Sequence, residues 1–168
     1  SLNSLFENIS LRLSKEWRSR NLPRHGHPYR CQCGRPVFFL NSQCLACGAA
    51  LGYDPGIAEV RTLLPAGEGL WQLAGQVDAP RNYRRCANFE SPAGCNWLVG
   101  ADDPTPHCAS CRLNRTIPDL NDVDNQRYWR AIENAKRRLV AQLLGLGLPV
   151  RSKVSDDPAQ GVAFDLLR

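Results

Sequence analysis

Eight cysteines constrain this chain more than any other feature, because they fall in two groups of four: Cys31, Cys33, Cys44 and Cys47, then Cys86, Cys95, Cys108 and Cys111. A disulfide network has no need of such grouping, whereas a tetrahedral zinc ion takes four ligands. Eight cysteines in 168 residues also fall below the roughly 8–10% that marks short disulfide scaffolds. The second group has the spacing C-x8-C-x12-C-x2-C. A Cys-x-x-Cys pair alone suits zinc, a redox couple or a disulfide. A thioredoxin-type pair needs a strand-to-helix turn within an α/β pattern, which the chain lacks. The first group reads C-x1-C-x10-C-x2-C, and its opening pair is tighter than the usual two-to-four-residue spacing. His25 or His27 therefore stands as an alternative to Cys31.

The expectation is two Zn2+ ions, each closed by four cysteines and structural rather than catalytic, since no coordination position is left open. Four cysteines complete the second site and leave His107 as a loop residue. Nothing in the sequence supplies a catalytic constellation: there is no H-E-x-x-H, no G-x-S-x-G and no phosphate loop. Two of the three histidines sit in one linker.

The fold class expected is a small, metal-stabilised α+β protein. It has two zinc-ribbon or rubredoxin-like four-cysteine units with short antiparallel strands, an N-terminal amphipathic helix, and a long helix at about 125–144. Leu2, Leu5, Phe6, Ile9, Leu13 and Trp17 recur at helical spacing, with Ser4 and Glu7 placed as a capping box, so a helix is expected over about 4–20. Residues 1–30 then form an amphipathic helix and basic linker, 31–56 the first ribbon, and 57–120 the second zinc-binding unit. Residues 121–168 form a helix and the start of a C-terminal domain.

In the first ribbon a strand at Val37–Leu40 separates two cysteine turns. Gly34 and Gly48 follow the second cysteine of each pair, where a positive φ lets backbone N–H groups turn towards sulfur. "GLWQLAG" and "NYRRCANF" read as strands, and "LLPAGEG" and "VDAP" as turns. In the long helix Asp124 is the expected cap. Trp129, Ile132, Leu139, Val140, Leu143 and Leu144 are its expected buried face, with Arg130, Glu133, Lys136 and Arg137 mostly elsewhere. "VAFDLL" near the end reads as a strand without a visible partner. That, with the absence of Met even at position 1, points to a piece of a longer protein.

Charge narrows the partners. The formal net charge of +5 falls to about +1 once eight thiolates and two zinc ions are counted. Six basic and two acidic residues in the first 30 carry most of the excess. A nucleic-acid-binding zinc ribbon is the alternative function, with Trp71, Tyr83, Phe89 and Trp97 as a stacking platform, but a near-neutral metallated body counts against it. No run of 18 apolar residues and no signal-type h-region is present, so no membrane and a cytoplasmic setting are expected.

The phrases "CGRPVFFLNSQCLACGAALGYDPG", "RRCANFE", "CNWLV", "CRLNRTIPDL" and "NAKRRLVAQLLGLGLP" closely resemble the bacterial zinc-ribbon-containing putative zinc-binding metallopeptidase family over roughly residues 31–167. The resemblance implies the same eight cysteines as ligands. It also implies a gluzincin-like second half with an H-E-x-x-H-type helix, of which "VAFDLL" would be the opening. The function implied is a non-catalytic zinc-binding module of a zinc metallopeptidase. Its partner would be its own C-terminal peptidase domain or a protein or peptide substrate.

Overall fold

The structure is a computed structural model that describes residues 28–167. The helix expected over 4–20, His25 and His27 lie outside the described residues. Three sheets and one α-helix make up the described part.

The first sheet is a two-residue hairpin, β1 (Tyr29–Arg30) against β2 (Pro36–Val37). The strand expected at 37–40 is therefore shorter and starts earlier. The central sheet is an antiparallel meander of five strands: β3 (Leu51–Asp54), β4 (Glu59–Pro65), β5 (Trp71–Leu73), β6 (Tyr83–Arg85) and β7 (Leu98–Gly100). Strand β4 starts with the alternation of a half-buried sheet, Val60 and Thr62 lying inside, whereas β3 is buried along its whole length. The turn expected at "LLPAGEG" begins only after Pro65. The meander curls until its first and last strands meet: Tyr53 bridges Trp97 in parallel, and the Tyr53 N–H donates to the Asn96 carbonyl at 2.9 Å. Five strands that run alternately up and down put the first and fifth parallel, so this bridge is the one topology permits.

The third sheet pairs β8 (Asn114–Thr116) in parallel with β9 (Phe164–Asp165), joined through helix α1 (Val123–Gly145). "VAFDLL" thus has a partner, which the sequence alone did not reveal because 50 residues separate Arg115 from Asp165. Helix α1 starts slightly earlier than expected. Its N-cap is Asp122, not Asp124, and the Asp122 carboxylate accepts from the N–H groups of Asp124 at 2.8 Å and Asn125 at 3.4 Å. Its C-terminus closes in Schellman fashion, with Leu148 N–H donating to the Leu143 carbonyl and Gly147 N–H to that of Leu144. No helix among the described residues is long and apolar enough to cross a membrane.

The buried face of α1 also differs from expectation. Trp129, Val140 and Ala141 are inside, but Ile132 is 44% exposed and Leu139 is 47% exposed. Glu133, Lys136 and Arg137 are buried instead. Helical periodicity locates a stripe of apolar residues; it does not say which stripe faces the body of the protein.

Candidate metal centres

The first cluster sits beside the small hairpin. Cys31 and Cys33 lie between β1 and β2, and Cys44 and Cys47 occupy the loop leading into β3. Gly34 has φ +85° and Gly48 φ +75°, a left-handed backbone that a glycine adopts without Cβ strain. These turns bring four Sγ atoms within 4.8 Å of one another. The Cys31–Cys47 sulfurs are 3.6 Å apart and the Cys33–Cys44 sulfurs 3.8 Å. A zinc tetrathiolate with Zn–S near ~2.3 Å has sulfur–sulfur edges of about 3.8 Å, whereas a disulfide needs about 2.05 Å. All eight cysteines are free thiols. The spacing is that of ligands round a cation.

The second cluster is built the same way on the other end of the meander. Cys86 follows β6, Cys95 precedes β7, and Cys108 and Cys111 flank the start of a 3-10 turn, Cys111–Leu113. Its four Sγ atoms also lie within 4.8 Å of one another, with Cys95 and Cys108 3.7 Å apart. Backbone N–H groups of Cys108 and Cys111 point at the sulfurs of Cys86 and Cys108, each at 3.4 Å. Such N–H···S bonds stabilise thiolate rather than thiol.

The electrostatics ask for a cation. Burial raises the Cys31 thiol, but hydrogen bonds from Thr62, the Cys33 backbone and the neighbouring thiols outweigh it and bring the pKa down to about 6. Cys47 receives the Ala49 N–H, which lowers it, yet its neighbours Cys31 and Cys33 push it up to about 12. Burial, then Cys111, Cys86 and Cys95, hold Cys108 well above the ordinary range. Four sulfurs this close cannot all ionise unless a positive ion joins them. The protein thus has two four-cysteine clusters suited to two zinc ions.

A zinc-ribbon domain family model matches residues 28–122, more than half of the chain. The chain belongs to the zinc-ribbon domain family. A second family model, described as "Putative zinc-binding metallo-peptidase", matches residues 125–168, so the change of family falls in the first turn of α1. Among curated relatives, the uncharacterized proteins Mb2598c of Mycobacterium bovis and Rv2568c of Mycobacterium tuberculosis are each 40% identical over 136 residues. The match covers 80% of this chain and 35% of each relative, so the chain spans about a third of their length. No solved structure matches it.

Within this zinc-ribbon region the two clusters share one buried core, which holds Cys31, Cys44, Cys86, Cys95, Cys108 and Cys111 together with Tyr53 and Trp97. Their exposure differs. Cys33 and Cys47 of the first cluster reach solvent, while all four cysteines of the second are buried. Of the aromatics considered for base stacking, Tyr83 and Trp97 are buried, and Trp71 and Phe89 flank the Arg85 guanidinium at 5.3 and 4.1 Å. His107 is half-buried and lines a cleft of about 350 Å³ beside the second cluster. Glu90 and Asp102 are exposed.

Sequence reasoning missed residues that stand at or next to the clusters. The Thr62 hydroxyl lies 3.4 Å from the Cys31 Sγ and accepts the Gln32 N–H at 2.9 Å. Glu133 Oε2 lies 3.9 Å from the Cys111 Sγ, and its Oε1 receives Lys136 at 2.8 Å and Asn114 at 3.0 Å. Glu133 and Lys136 stand three apart on one helix face, a detectable pairing, but nothing local says that it is buried.

Proposed function

We propose that Cys31, Cys33, Cys44 and Cys47 hold one structural zinc ion and that Cys86, Cys95, Cys108 and Cys111 hold the other. In this reading the ribbons, at 31–56 and 57–120, form a non-catalytic module that positions either a protein substrate or the catalytic half of a zinc metallopeptidase. The single observation that carries it is the closed, all-sulfur geometry of both clusters, the second of them beside a helix whose sequence matches the metallopeptidase family. When bound, zinc supplies a fourfold cross-link in each unit and takes no part in chemistry, because four sulfurs leave no position for water.

The rest of the reading follows from the same residues. No His pair stands at helical spacing in the chain, Glu90 and Asp102 face solvent, and Glu133, the carboxylate beside the second cluster, is buried and tied to Lys136 and Asn114. The C-terminal segment 121–168 begins a domain whose remaining part would carry any peptidase activity. A reducing cytoplasm suits eight free thiols. Nucleic acid is disfavoured as a partner. Arg84, Arg85 and Arg112 spend their guanidinium groups on the carbonyls of Asp103, Leu51 and His107 rather than presenting them to a phosphate.

Two measurements test this. Native mass spectrometry of the whole chain should show two zinc ions. The zinc-loaded chain, incubated with unfolded protein and mixed peptides beside a chelated control, should cleave neither. Chelator-sensitive cleavage by the pure chain would make one site catalytic and sink the proposal.

A further inference from the structure

The second cluster carries an electrostatic problem that the first does not. Zinc with four thiolates bears a net charge of about −2, and taking such a group out of water costs several kcal/mol per charge unless partners meet it. At the first cluster Cys33 and Cys47 are exposed, and water can meet the charge. At the second, all four cysteines are buried, so the protein must.

Two buried cations reach the second cluster through intervening residues, Lys136 through Glu133 and Arg137 through Ala93, and both belong to α1. Lys136 is 4% exposed and Arg137 1%. Lys136 Nζ is held by Glu133 Oε1 at 2.8 Å and by Asn114 Oδ1, while the other oxygen of Glu133 lies 3.9 Å from the Cys111 Sγ. A carboxylate that close to an anionic sulfur is tolerable only with the ammonium group against it. Arg137 Nη2 donates to the carbonyl of Ala93, two residues before Cys95, at 3.3 Å and to Asn134, but its Nε and Nη1 have no hydrogen-bond partner among the described residues. A buried guanidinium that is under-bonded in this way lacks a reason in its hydrogen bonds. Val140 and Ala141, one turn further on, pack in the same core as Cys86, Cys95, Cys108 and Cys111.

We propose that α1 is the counter-ion of the second zinc site, so that zinc loading and the docking of this helix are one equilibrium. Zinc binding creates the −2 charge that Lys136 and Arg137 face, and Glu133 holds Lys136 in place while adding one further negative charge. When zinc leaves and the four thiolates take up protons in its place, two buried cations and one anion remain, and the helix loses what it was docked against. Because α1 opens the segment matching the metallopeptidase family, occupancy of the second site sets where that segment sits on the ribbon. Linkage is reciprocal: whatever holds α1 down also holds the zinc. The inference rests on zinc occupying the second site, as proposed above, and total zinc measured at the start of each run tests that separately.

The experiment follows zinc release from the whole chain to a chromogenic chelator, with Cys33→Ser used to identify the phase that belongs to the first cluster. Lys136→Met and Arg137→Met should each speed second-site release by roughly 10- to 100-fold, the range for residues that support a metal's ligands, and leave first-site release unchanged. Glu133→Gln removes a negative charge and lets an amide donate to the Cys111 sulfur, so it should slow release. Arg127→Met, an exposed cation on the same helix, should change neither phase. Amide exchange across 123–145 should lose protection together with second-site zinc and not with first-site zinc. If Lys136→Met fails to fold, Arg137→Met and Glu133→Gln carry the test. Second-site release at the parent rate in Arg137→Met, acceleration by Glu133→Gln, or an equal change in both phases would each overturn the proposal.

Discussion

The Nδ2 of Asn96, a fully buried side chain at the mouth of β7, donates to the carbonyl of Phe39 at 2.8 Å and to that of Asn41 at 2.9 Å. One amide from the second cysteine unit thereby holds the loop of the first. Phe39 in turn packs its ring on Tyr53 at 4.8 Å and on Trp97 at 6.3 Å. Asn96→Ala orphans two part-buried carbonyls, and should cost about 1–3 kcal/mol. Urea unfolding checks this. An unchanged midpoint would mean that the two units do not depend on this amide.

The cysteines should not be equivalent. Cys33→Ser or Cys47→Ser alters the exposed side of the first cluster and should cost one zinc ion while the second site stays loaded. Cys95→Ser or Cys108→Ser opens a buried site that stabilises the core between β6, β7 and α1. Because metal binding is coupled to folding in so small a unit, these variants should lose near-ultraviolet circular dichroism as well as zinc. Zinc content and dichroism measured on the same samples would show whether both classes of variant behave alike, which would be the contrary result.

Helix α1 offers a contrast between two apolar residues three apart. Trp129 is 1% exposed and Ile132 is 44% exposed. Trp129→Ala should destabilise by about 3–5 kcal/mol, and Ile132→Ala by less than ~1 kcal/mol. Equal losses in chemical denaturation would mean that the helix is rotated from the orientation described.

The β8–β9 pairing should depend on pH through Asp165. Hydrogen bonds from Arg115 and Thr116 draw its pKa from the ordinary 3.8 down to about 2. A carboxylate whose folded pKa is depressed binds protons more readily when unfolded, so its contribution is present above pH 3.8 and is lost as pH falls towards 2. The pair is exposed, so salt should weaken the effect. Leu166 N–H donates to the Thr116 carbonyl at 3.0 Å, and its exchange protection reports on the pairing. Protection should fall between about pH 4 and pH 2 in the parent chain and be flat over that range in Asp165→Asn. A parallel fall in both would assign the loss to another group.

What the sequence determined on its own was the chemistry that is local. Cysteine spacing set two four-sulfur clusters, because a tight turn between ligands is a property of a few consecutive residues. Glycines at 34 and 48 belong to the same short range, and so do the existence and approximate span of α1. What only the tertiary structure decided was everything that needed two distant segments to meet. The closure of the meander at Tyr53 and Trp97, the partnering of β9 by β8, and the clamp from Asn96 to Phe39 all join stretches that carry no mark of each other. The same holds for the buried face of α1. Its apolar periodicity favoured Ile132 and Leu139, but the surface it packs against includes a cluster of four buried cysteines. If zinc fills that cluster, as proposed, a helix gains more by burying Lys136 and Arg137 than by hiding two further aliphatic side chains, because uncompensated charge in a dry core costs more than a half-exposed isoleucine or leucine in water.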